Sequence, residues 1–287
     1  MVAGGENEGG LNIDTSYLLE VYFDDTNSIR KIKYKDLPNV PHLFSLAAFG
    51  SFGGRSLIIG GINSNGQCLE FGQEKYQVIP SLNENREWAA STFIQNKIVI
   101  SGGSDYSQRT LDTIEILDMD ESNHGSEFIE SPSRLPTKNS YHTLAAFNDK
   151  LYVIGGFDSS YVFNNIWEGT FDSQENKIIW VETGLRLQKE RRRPFSFVIS
   201  NQIIIFGGCY GDDFVEIIDG NKLKQGPKVP FELMTVNNQA VLDRRNRIII
   251  TSNEYGLVIY DHQKGSFKHF PNFTLREKRY FFAAILQ

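Results

Sequence analysis

The sequence is poor in cysteine and lacks long apolar runs. Only Cys68 and Cys209 occur in 287 residues, which is too few for a secreted domain held together by disulfides. The first ten residues contain neither a charged n-region nor an apolar h-region, so they do not form a secretory signal. No apolar run approaches the ~20 residues that a membrane-spanning helix requires. These absences predict a cytoplasmic or nuclear protein without a membrane partner.

Motifs of catalysis and metal binding are also missing. The five histidines form no HExxH motif, and no pair of them has metal-ligand spacing. The two cysteines do not form a CxxC, and the glycine-rich stretches GGENEGG and GSFGG lack the Gly-Lys-Ser/Thr end of a phosphate loop. No nucleophile elbow is present. The sequence therefore predicts a protein that is not an enzyme, with no metal, no cofactor and no catalytic residues.

The charge balance is mildly acidic. The net charge of −6 argues against a dedicated nucleic-acid-binding protein, although it leaves room for a local basic patch. The hydrophobic content of 40% and the charged content of 22% are typical of a globular domain. We expect one large domain over residues 1–287, with no nucleic acid among its partners.

A repeated phrase dominates what is present: an apolar run that ends in two glycines. It reads LIIGG, IVISGG, LYVIGG and IIIFGG, with a truncated copy MVAGG at the start and a worn copy IIITSNE near the end. From Gly4 to Thr251 the copies advance in steps of 56, 42, 53, 52 and 44 residues. Self-similarity at such a period indicates a repeat architecture.

Each repeat predicts four strands and no helix. A run such as SYHTLAAF, a short polar turn and then LYVIGG form a predicted hairpin, and the continuous apolar runs suit strands that are buried on both faces. A third run such as TIEILDMD or FVEIIDG follows a polar loop, and a weaker fourth run such as IRKIKYK comes next. No segment keeps a 3.6-residue apolar period. The pattern predicts an all-β propeller with four antiparallel strands per blade.

The two ends of the chain complement each other. RYFFAAILQ has the pattern of a first strand, and MVAGG has the pattern of the end of a second strand. Joined, they predict a composite blade that closes a ring of six and leaves no unpaired terminal edge. The predicted blades span 38–83, 84–136, 137–188, 189–233, 234–278, and 279–287 plus 1–37.

These motifs resemble the kelch repeat over essentially the whole chain. The terminal arrangement resembles the six-bladed kelch domain of BTB-kelch proteins, which is the substrate-receptor half of a cullin-RING ubiquitin ligase. The resemblance implies a protein or peptide partner, and it implies cullin binding only through BTB and BACK regions that this sequence does not contain. The sequence departs from the family in its fourth strands, where Trp180 is the nearest match to the usual tryptophan, and at Thr251-Ser252, which replace a glycine pair.

The family's geometry implies that two classes of loop crowd one face around the central channel. Tyrosine and arginine, which are enriched in binding hot spots, recur in these loops. KERRRP at 189–194 and REKRY at 276–280 predict a basic pocket suited to an acidic or phosphorylated segment. The predicted partner-binding residues are Arg86, Tyr106, Arg109, Tyr141, Tyr161, Phe163, Arg192, Arg193, Tyr210, Asp212, Tyr255, Arg279 and Tyr280.

Two other functions are compatible with this fold. A kelch-fold enzyme acting on a small sugar or acid would need Arg and Glu at the channel mouth, residue types that the loops contain. A cytoskeletal scaffold that binds actin would need no particular residue. We also expect His142 to have a structural role, since it begins a first strand as His42 does.

Overall fold

A computed structural model shows an all-β protein. It describes residues 2–3, 11, 13–24, 29–41, 47–52, 55–62, 64–72, 74–119, 125–208, 214–230, 238–243, 245–252, 256–273 and 283–284. Every regular element in these ranges is a β-strand. In this part of the chain, no helix has the length and apolar character needed to cross a membrane.

Five four-stranded antiparallel sheets are each built from four successive strands, and we call them blades 1 to 5. Blade 1 contains β4 (Ala48–Phe52), β5 (Arg55–Ile59), β6 (Cys68–Gly72) and β7 (Lys75–Ile79). Blade 2 contains β8 (Ala90–Ile94), β9 (Lys97–Ser101), β10 (Ile114–Asp118) and β11 (Ile129–Glu130). Blade 3 contains β12 (Thr143–Phe147), β13 (Lys150–Ile154), β14 (Asn165–Asp172) and β15 (Lys177–Arg186). Blade 4 contains β16 (Phe195–Ile199), β17 (Gln202–Phe206), β18 (Phe214–Asp219) and β19 (Lys222–Lys228), and blade 5 contains β20 (Asn238–Leu242), β21 (Arg247–Ser252), β22 (Gly256–Asp261) and β23 (Ser266–Phe270). The predicted propeller of four-stranded antiparallel blades is thereby confirmed.

A further four-stranded sheet, the terminal sheet, combines both ends of the described chain. Its strand order is β24 (Ala283–Ala284), β1 (Val2–Ala3), β2 (Ser16–Phe23) and β3 (Ile29–Leu37). β1 pairs with β24 in antiparallel register, with Val2 opposite Ala284 and Ala3 opposite Ala283. One face of β2 and β3 packs against blade 5 in a cluster that includes Leu257 and Ile259.

The second strand of each blade lies in the core because it is apolar on both faces. In β17, for example, Ile203, Ile204, Ile205 and Phe206 are all fully buried. Alternate side chains of a strand point to opposite faces, so such a strand must be covered by a neighbouring blade on each side. Blades 3 and 4 provide an example, since Ile154 and Ile203 belong to one apolar cluster. The apolar runs of the sequence are therefore continuous because these strands pack against a neighbouring blade on both faces.

The glycine pairs end these strands where one blade approaches the next. In three of the pairs the second glycine donates a backbone hydrogen bond across the blade boundary: Gly61 to Arg86 O (2.9 Å), Gly103 to Asn139 O (2.9 Å) and Gly156 to Arg191 O (2.8 Å). Both glycines have positive φ, for example +63° at Gly155 and +108° at Gly156. A Cβ atom on Gly155 would lie 2.5 Å from Arg191 O, so the site excludes any side chain. The repeated phrase is a joint between blades.

His142 is buried in the joint between blades 2 and 3. Its Nε2 lies 2.8 Å from Ser101 Oγ, and its Nδ1 has no hydrogen-bond partner in the described structure. Burial lowers the pKa of His142 from 6.5 to about 3, because the charged imidazolium loses its hydration. The residue is therefore neutral in the folded protein, which agrees with the predicted structural role.

This histidine makes folding sensitive to acid. Because the pKa of His142 is lower in the folded chain than in the unfolded chain, its contribution to stability is complete above pH 6.5 and is lost as pH falls toward 3. Between pH 6.5 and 5 the loss attributable to this residue is at most about 2 kcal/mol. Urea unfolding at pH 7, 6 and 5 should show a steeper loss for the wild type than for His142→Gln. Equal pH slopes for the two proteins would contradict the assignment.

Candidate functional site

Three equivalent residues in successive blades come together where the chain enters the first strands. Trp88, Tyr141 and Arg193 each lie fourteen residues before the first glycine of their blade. All three have left-handed backbone conformation, with φ of +58°, +57° and +65°. Tyr141 N donates to Trp88 O (3.0 Å), and Arg193 N donates to Tyr141 O (2.5 Å). The main chain thus links blades 2, 3 and 4 in one continuous hydrogen-bonded path.

The side chains along this path form a continuous stack of aromatic rings and guanidinium groups. The rings of Trp88 and Tyr141 stack at 4.3 Å with an interplanar angle of 28°. The Arg192 guanidinium lies 3.8 Å from the Tyr141 ring centroid and 4.8 Å from that of Phe157, while the Arg193 guanidinium lies 4.6 Å from that of Trp88. We call these five residues the collar. Each guanidinium within ~6 Å of a ring is attracted by the ring's quadrupole, so the cations are held in fixed positions.

The collar brings together groups of both signs. Burial raises the pKa of Tyr141, and the charges of Arg192 and Arg193 act in the opposite direction. Glu87, which is only 4% exposed, lies beside this cluster. Burial also raises the pKa of Glu87, with a smaller contribution of the same sign from the charge of Asp105. The guanidinium groups of the two arginines can interact with an anionic group of a partner.

The loop after the glycine pair of blade 2 is held by Asp105. The Asp105 carboxylate accepts hydrogen bonds from the backbone of Ser107 and Arg109 (2.8 and 2.9 Å), and Arg109 Nε donates to it at 2.7 Å. These bonds lower the pKa of Asp105 although its burial acts in the opposite sense. Tyr106 is 56% exposed and its hydroxyl donates to Asn65 (2.7 Å). Tyr106 and the outer part of Arg109 are therefore accessible at the surface.

The equivalent loop of blade 3 places its two predicted residues differently. Asp158 Oδ1 accepts from the backbone of Ser160 and Tyr161 (2.9 and 2.7 Å), which leaves the Tyr161 side chain 72% exposed. Phe163 is half-buried instead, and it lines a small, partly open pocket together with Asn139 and Trp167. Tyr161 can therefore contact a partner directly, whereas the side chain of Phe163 is less accessible.

Arg86 does not belong to an exposed binding face. Its side chain is 1% exposed, Nε donates to Glu115 Oε1 (3.0 Å) and Nη1 donates to Gly102 O (2.9 Å). Arg191 repeats this arrangement in blade 4, with Glu216 (2.9 Å) and Gly207 O (2.7 Å) as its partners. A buried charge needs a partner of opposite sign, and here the pair also satisfies the carbonyl of the first glycine. The prediction of Arg86 as a partner-binding residue is corrected accordingly: Arg86 holds the blade together.

The collar unites predicted and unpredicted residues. Tyr141, Arg192 and Arg193 were predicted from the loops, while Trp88 and Phe157 were missed. The constant fourteen-residue offset from the glycine pair would have identified Trp88. The remaining predicted residues, Tyr210, Asp212, Tyr255, Arg279 and Tyr280, lie outside the described residues.

Below the collar, the first strands of blades 1 to 4 border a cavity of about 320 Å³. Its lining combines phenylalanine rings with hydroxyl groups, as in Phe49, Ser91, Thr92, Phe93, Ser196 and Phe197. Among the described residues, no three His, Cys, Asp or Glu side chains are grouped as a metal site would require. Cys68 is a buried free thiol whose pKa is raised to about 12, mainly by burial, so it is not a nucleophile at neutral pH.

Comparison with known proteins identifies the repeat. Residues 51–219 match the family model of the KLHDC2/KLHL20/DRC7 Kelch-repeats domain, which is more than half of the chain. No curated protein matches at the threshold applied. The matched segment contains four glycine pairs of the repeat and all five residues of the collar. The chain therefore belongs to the kelch-repeat family, whose propellers generally serve as protein-interaction modules.

Proposed function

We propose that this protein captures a partner protein through the collar and the loops around it, and that the recognised element is an acidic or phosphorylated segment. The observation that carries this proposal is the fixed pair of guanidinium groups, Arg192 and Arg193, stacked on three aromatic rings. Arginine forks favour carboxylate and phosphate groups, and their attachment to rings lowers the entropy lost on binding. The exposed side chains of Tyr106, Arg109 and Tyr161 extend this surface outward.

The left-handed backbone conformation that three residues of the collar share supports a rigid recognition surface. Residues with positive φ other than glycine are uncommon and concentrate at functional sites, where the surrounding structure must hold them. Trp88, Tyr141 and Arg193 share this conformation although none of them is glycine or asparagine. A backbone constraint of this kind positions the side chains before a partner arrives, which favours affinity.

A peptide-binding experiment tests the proposal. Three degenerate peptide libraries would be presented to the full chain. Two of them carry glutamate or phosphoserine at a fixed central position, and the third carries the uncharged residues serine or glutamine there. We expect the acidic and phosphorylated libraries to bind, and Arg192→Glu with Arg193→Glu to weaken their binding by at least about tenfold. Lys222→Glu with Lys228→Glu, on the outer strand of blade 4, makes the same change in net charge and serves as the control. Equal affinities for the wild type and the collar variant would overturn the proposal.

We further propose that the terminal sheet is a sixth blade that closes the ring. The pairing of β1 with β24, which also contacts β20 of blade 5, supports this closure. Cysteines introduced at positions 2 and 284 would then lie opposite each other and form a disulfide under mild oxidation. Since that bond would close a loop of almost the whole chain, the chain-entropy relation predicts that it stabilises the fold by roughly 5–6 kcal/mol. Failure of the cross-link to form in the folded protein would contradict closure.

We also propose that the protein acts as the substrate receptor of a cullin-RING ubiquitin ligase. The kelch family membership and the arginine-rich loop face support this role, which needs BTB and BACK regions in the parent protein. Immunoprecipitation of the protein at its natural length should recover a cullin. Absence of a cullin would remove the ligase role and leave peptide capture by the collar unaffected.

A further inference from the structure

The outermost strand of the terminal sheet, β3, is unusually basic for this acidic protein. Four of its nine residues are cations, Arg30, Lys31, Lys33 and Lys35, against the single carboxylate Asp36. All five side chains are exposed. In its sheet β3 pairs with β2 and forms the outer edge, so one row of its backbone N–H and C=O groups has no strand partner within the described sheet.

The lysines form a regular ladder on one face of this strand. Lys31, Lys33 and Lys35 alternate along β3, so their side chains share a face at a spacing of about 6.7 Å. The opposite face of the sheet is already covered, because Ile32 packs into the cluster with blade 5. Two acidic residues lie near the ladder in the described part of the chain: Glu74 of blade 1 pairs with Lys35, and Glu20 of β2 lies directly opposite Lys33 in the register. The Lys33 ammonium lies 5.3 Å from the ring of Tyr22, which is itself 41% exposed.

The other described outer strands do not combine these features. β19 also contains lysines, but Gly226 and Pro227 interrupt it and Lys224 is paired with Asp219. β15 mixes charges of both signs, since Arg186 is paired with Glu182 within the strand. β11 has only two residues. β7 and β23 contain one lysine each, Lys75 and Lys268, so neither has a row of cations. β3 is therefore the described outer strand that offers both an uninterrupted edge and an unbalanced positive charge.

We propose that β3 is a docking strand for an extended acidic segment of a partner protein. The segment would add to the free edge as a further strand, using main-chain hydrogen bonds for affinity and side chains at every second position for specificity. Acidic side chains two residues apart match the spacing of the lysine ladder, and cross-strand pairs of opposite charge stabilise a sheet. This second surface lies on the outer rim and does not depend on the collar.

The free edge favours a peptide over a nucleic acid. A phosphate backbone would pair with the lysines but would leave the row of backbone donors and acceptors of β3 unused. An extended peptide satisfies both. Lysines on an edge strand can also serve only to prevent edge-to-edge aggregation, and in that case no segment should bind specifically. Peptide docking, nucleic-acid binding and protection against aggregation predict different results in one binding experiment.

Fluorescence anisotropy with labelled peptides would test the docking strand on the full chain. The probe is a twelve-residue peptide that alternates glutamate with valine or threonine, measured at ~50 mM salt, where screening is modest. We expect it to bind, and Lys31→Glu with Lys33→Glu to weaken binding by at least about tenfold. The control Lys222→Glu with Lys228→Glu should stay within about twofold, and so should the collar variant, which separates this surface from the proposed capture site. If the charge reversals lower the thermal stability, Lys31→Gln with Lys33→Gln replaces them.

Peptide variants decide between the three readings. A peptide of the same composition with all glutamates in one block should bind at least about tenfold more weakly than the alternating one. The peptide can be methylated on every second backbone nitrogen in two ways, at the odd or at the even positions. Only one edge of the bound peptide faces β3, so one of these two patterns should abolish binding and the other should not. Equal binding of the block peptide, or of an oligouridylate, would reduce the strand to a general polyanion surface and overturn the proposal. Absence of binding by all probes would leave the lysines as edge protection and would equally overturn it.

Discussion

Replacement of Gly155 by alanine is expected to destabilise the protein by at least about 3 kcal/mol, because two separate penalties coincide at this joint. Its φ of +63° costs an L-residue about 1–2 kcal/mol. A Cβ atom would in addition lie 2.5 Å from the backbone oxygen of Arg191, which belongs to the next blade and cannot move alone. Urea unfolding of Gly155→Ala at pH 7 measures the sum.

Gly184 provides a matched control for this prediction. It has a similar φ of +74°, but a Cβ atom there would meet nothing within 4 Å. Gly184→Ala should therefore cost only the conformational part, about 1–2 kcal/mol. Asparagine tolerates left-handed backbone, so Gly184→Asn should be milder still, whereas Gly155→Asn should be no better than Gly155→Ala. If Gly155 and Gly184 respond alike, close approach between blades is not the reason for the glycine pairs.

This joint explains why the fold could be predicted from the sequence. Each repeat ends a doubly buried strand with two glycines, and both features arise from contacts with neighbouring blades. Any sequence that builds this joint must keep the apolar run and exclude side chains after it. The repeat could therefore be identified from the recurrence of Gly60, Gly102, Gly155 and Gly207, although the loops between them differ in length and composition.

The site was only partly predictable because exposure cannot be read from residue type. Arg86 and Arg192 both precede a first strand, but Arg86 is buried and Arg192 stacks on rings. Arg86 lies sixteen residues before the first glycine of its blade and Arg192 lies fifteen residues before it. This difference of one residue places the first side chain in the core and the second in the collar. The sequence signal for the buried pair was the glutamate inside an apolar third strand, as in TIEILD and FVEIID. A carboxylate at such a position needs a cation nearby, which Arg86 and Arg191 supply.

Blade 3 shows that this ion pair has a neutral substitute. Asn139 occupies the position of Arg86 and Arg191, sixteen residues before the first glycine of its blade. Its Nδ2 donates to Gly155 O (3.0 Å), as the arginines donate to the equivalent carbonyls. Trp167 occupies the position of the glutamate, opposite Val153 in the register. The arginine and the glutamate are thus replaced together, which indicates that each is tolerated only in the presence of the other.

Arg191→Asn in blade 4 should therefore destabilise the protein by about 3–5 kcal/mol, because it leaves Glu216 buried without its cation. The asparagine keeps a donor for Gly207 O, as Asn139 does in blade 3, so the loss isolates the unpaired charge. Glu216→Leu alone should lower the stability by a similar amount, because it leaves the guanidinium of Arg191 buried without its carboxylate. The double variant removes both charges and should recover at least about half of the loss measured for Arg191→Asn. Urea unfolding of the four proteins at pH 7 gives the coupling energy directly.

The coupling energy distinguishes an unpaired charge from a simple loss of packing. If Arg191 stabilises the fold mainly as the partner of Glu216, the loss of stability in the double variant should be clearly smaller than the sum of the two single losses. Additive losses would mean that the guanidinium contributes by filling space, and that its pairing with Glu216 is incidental.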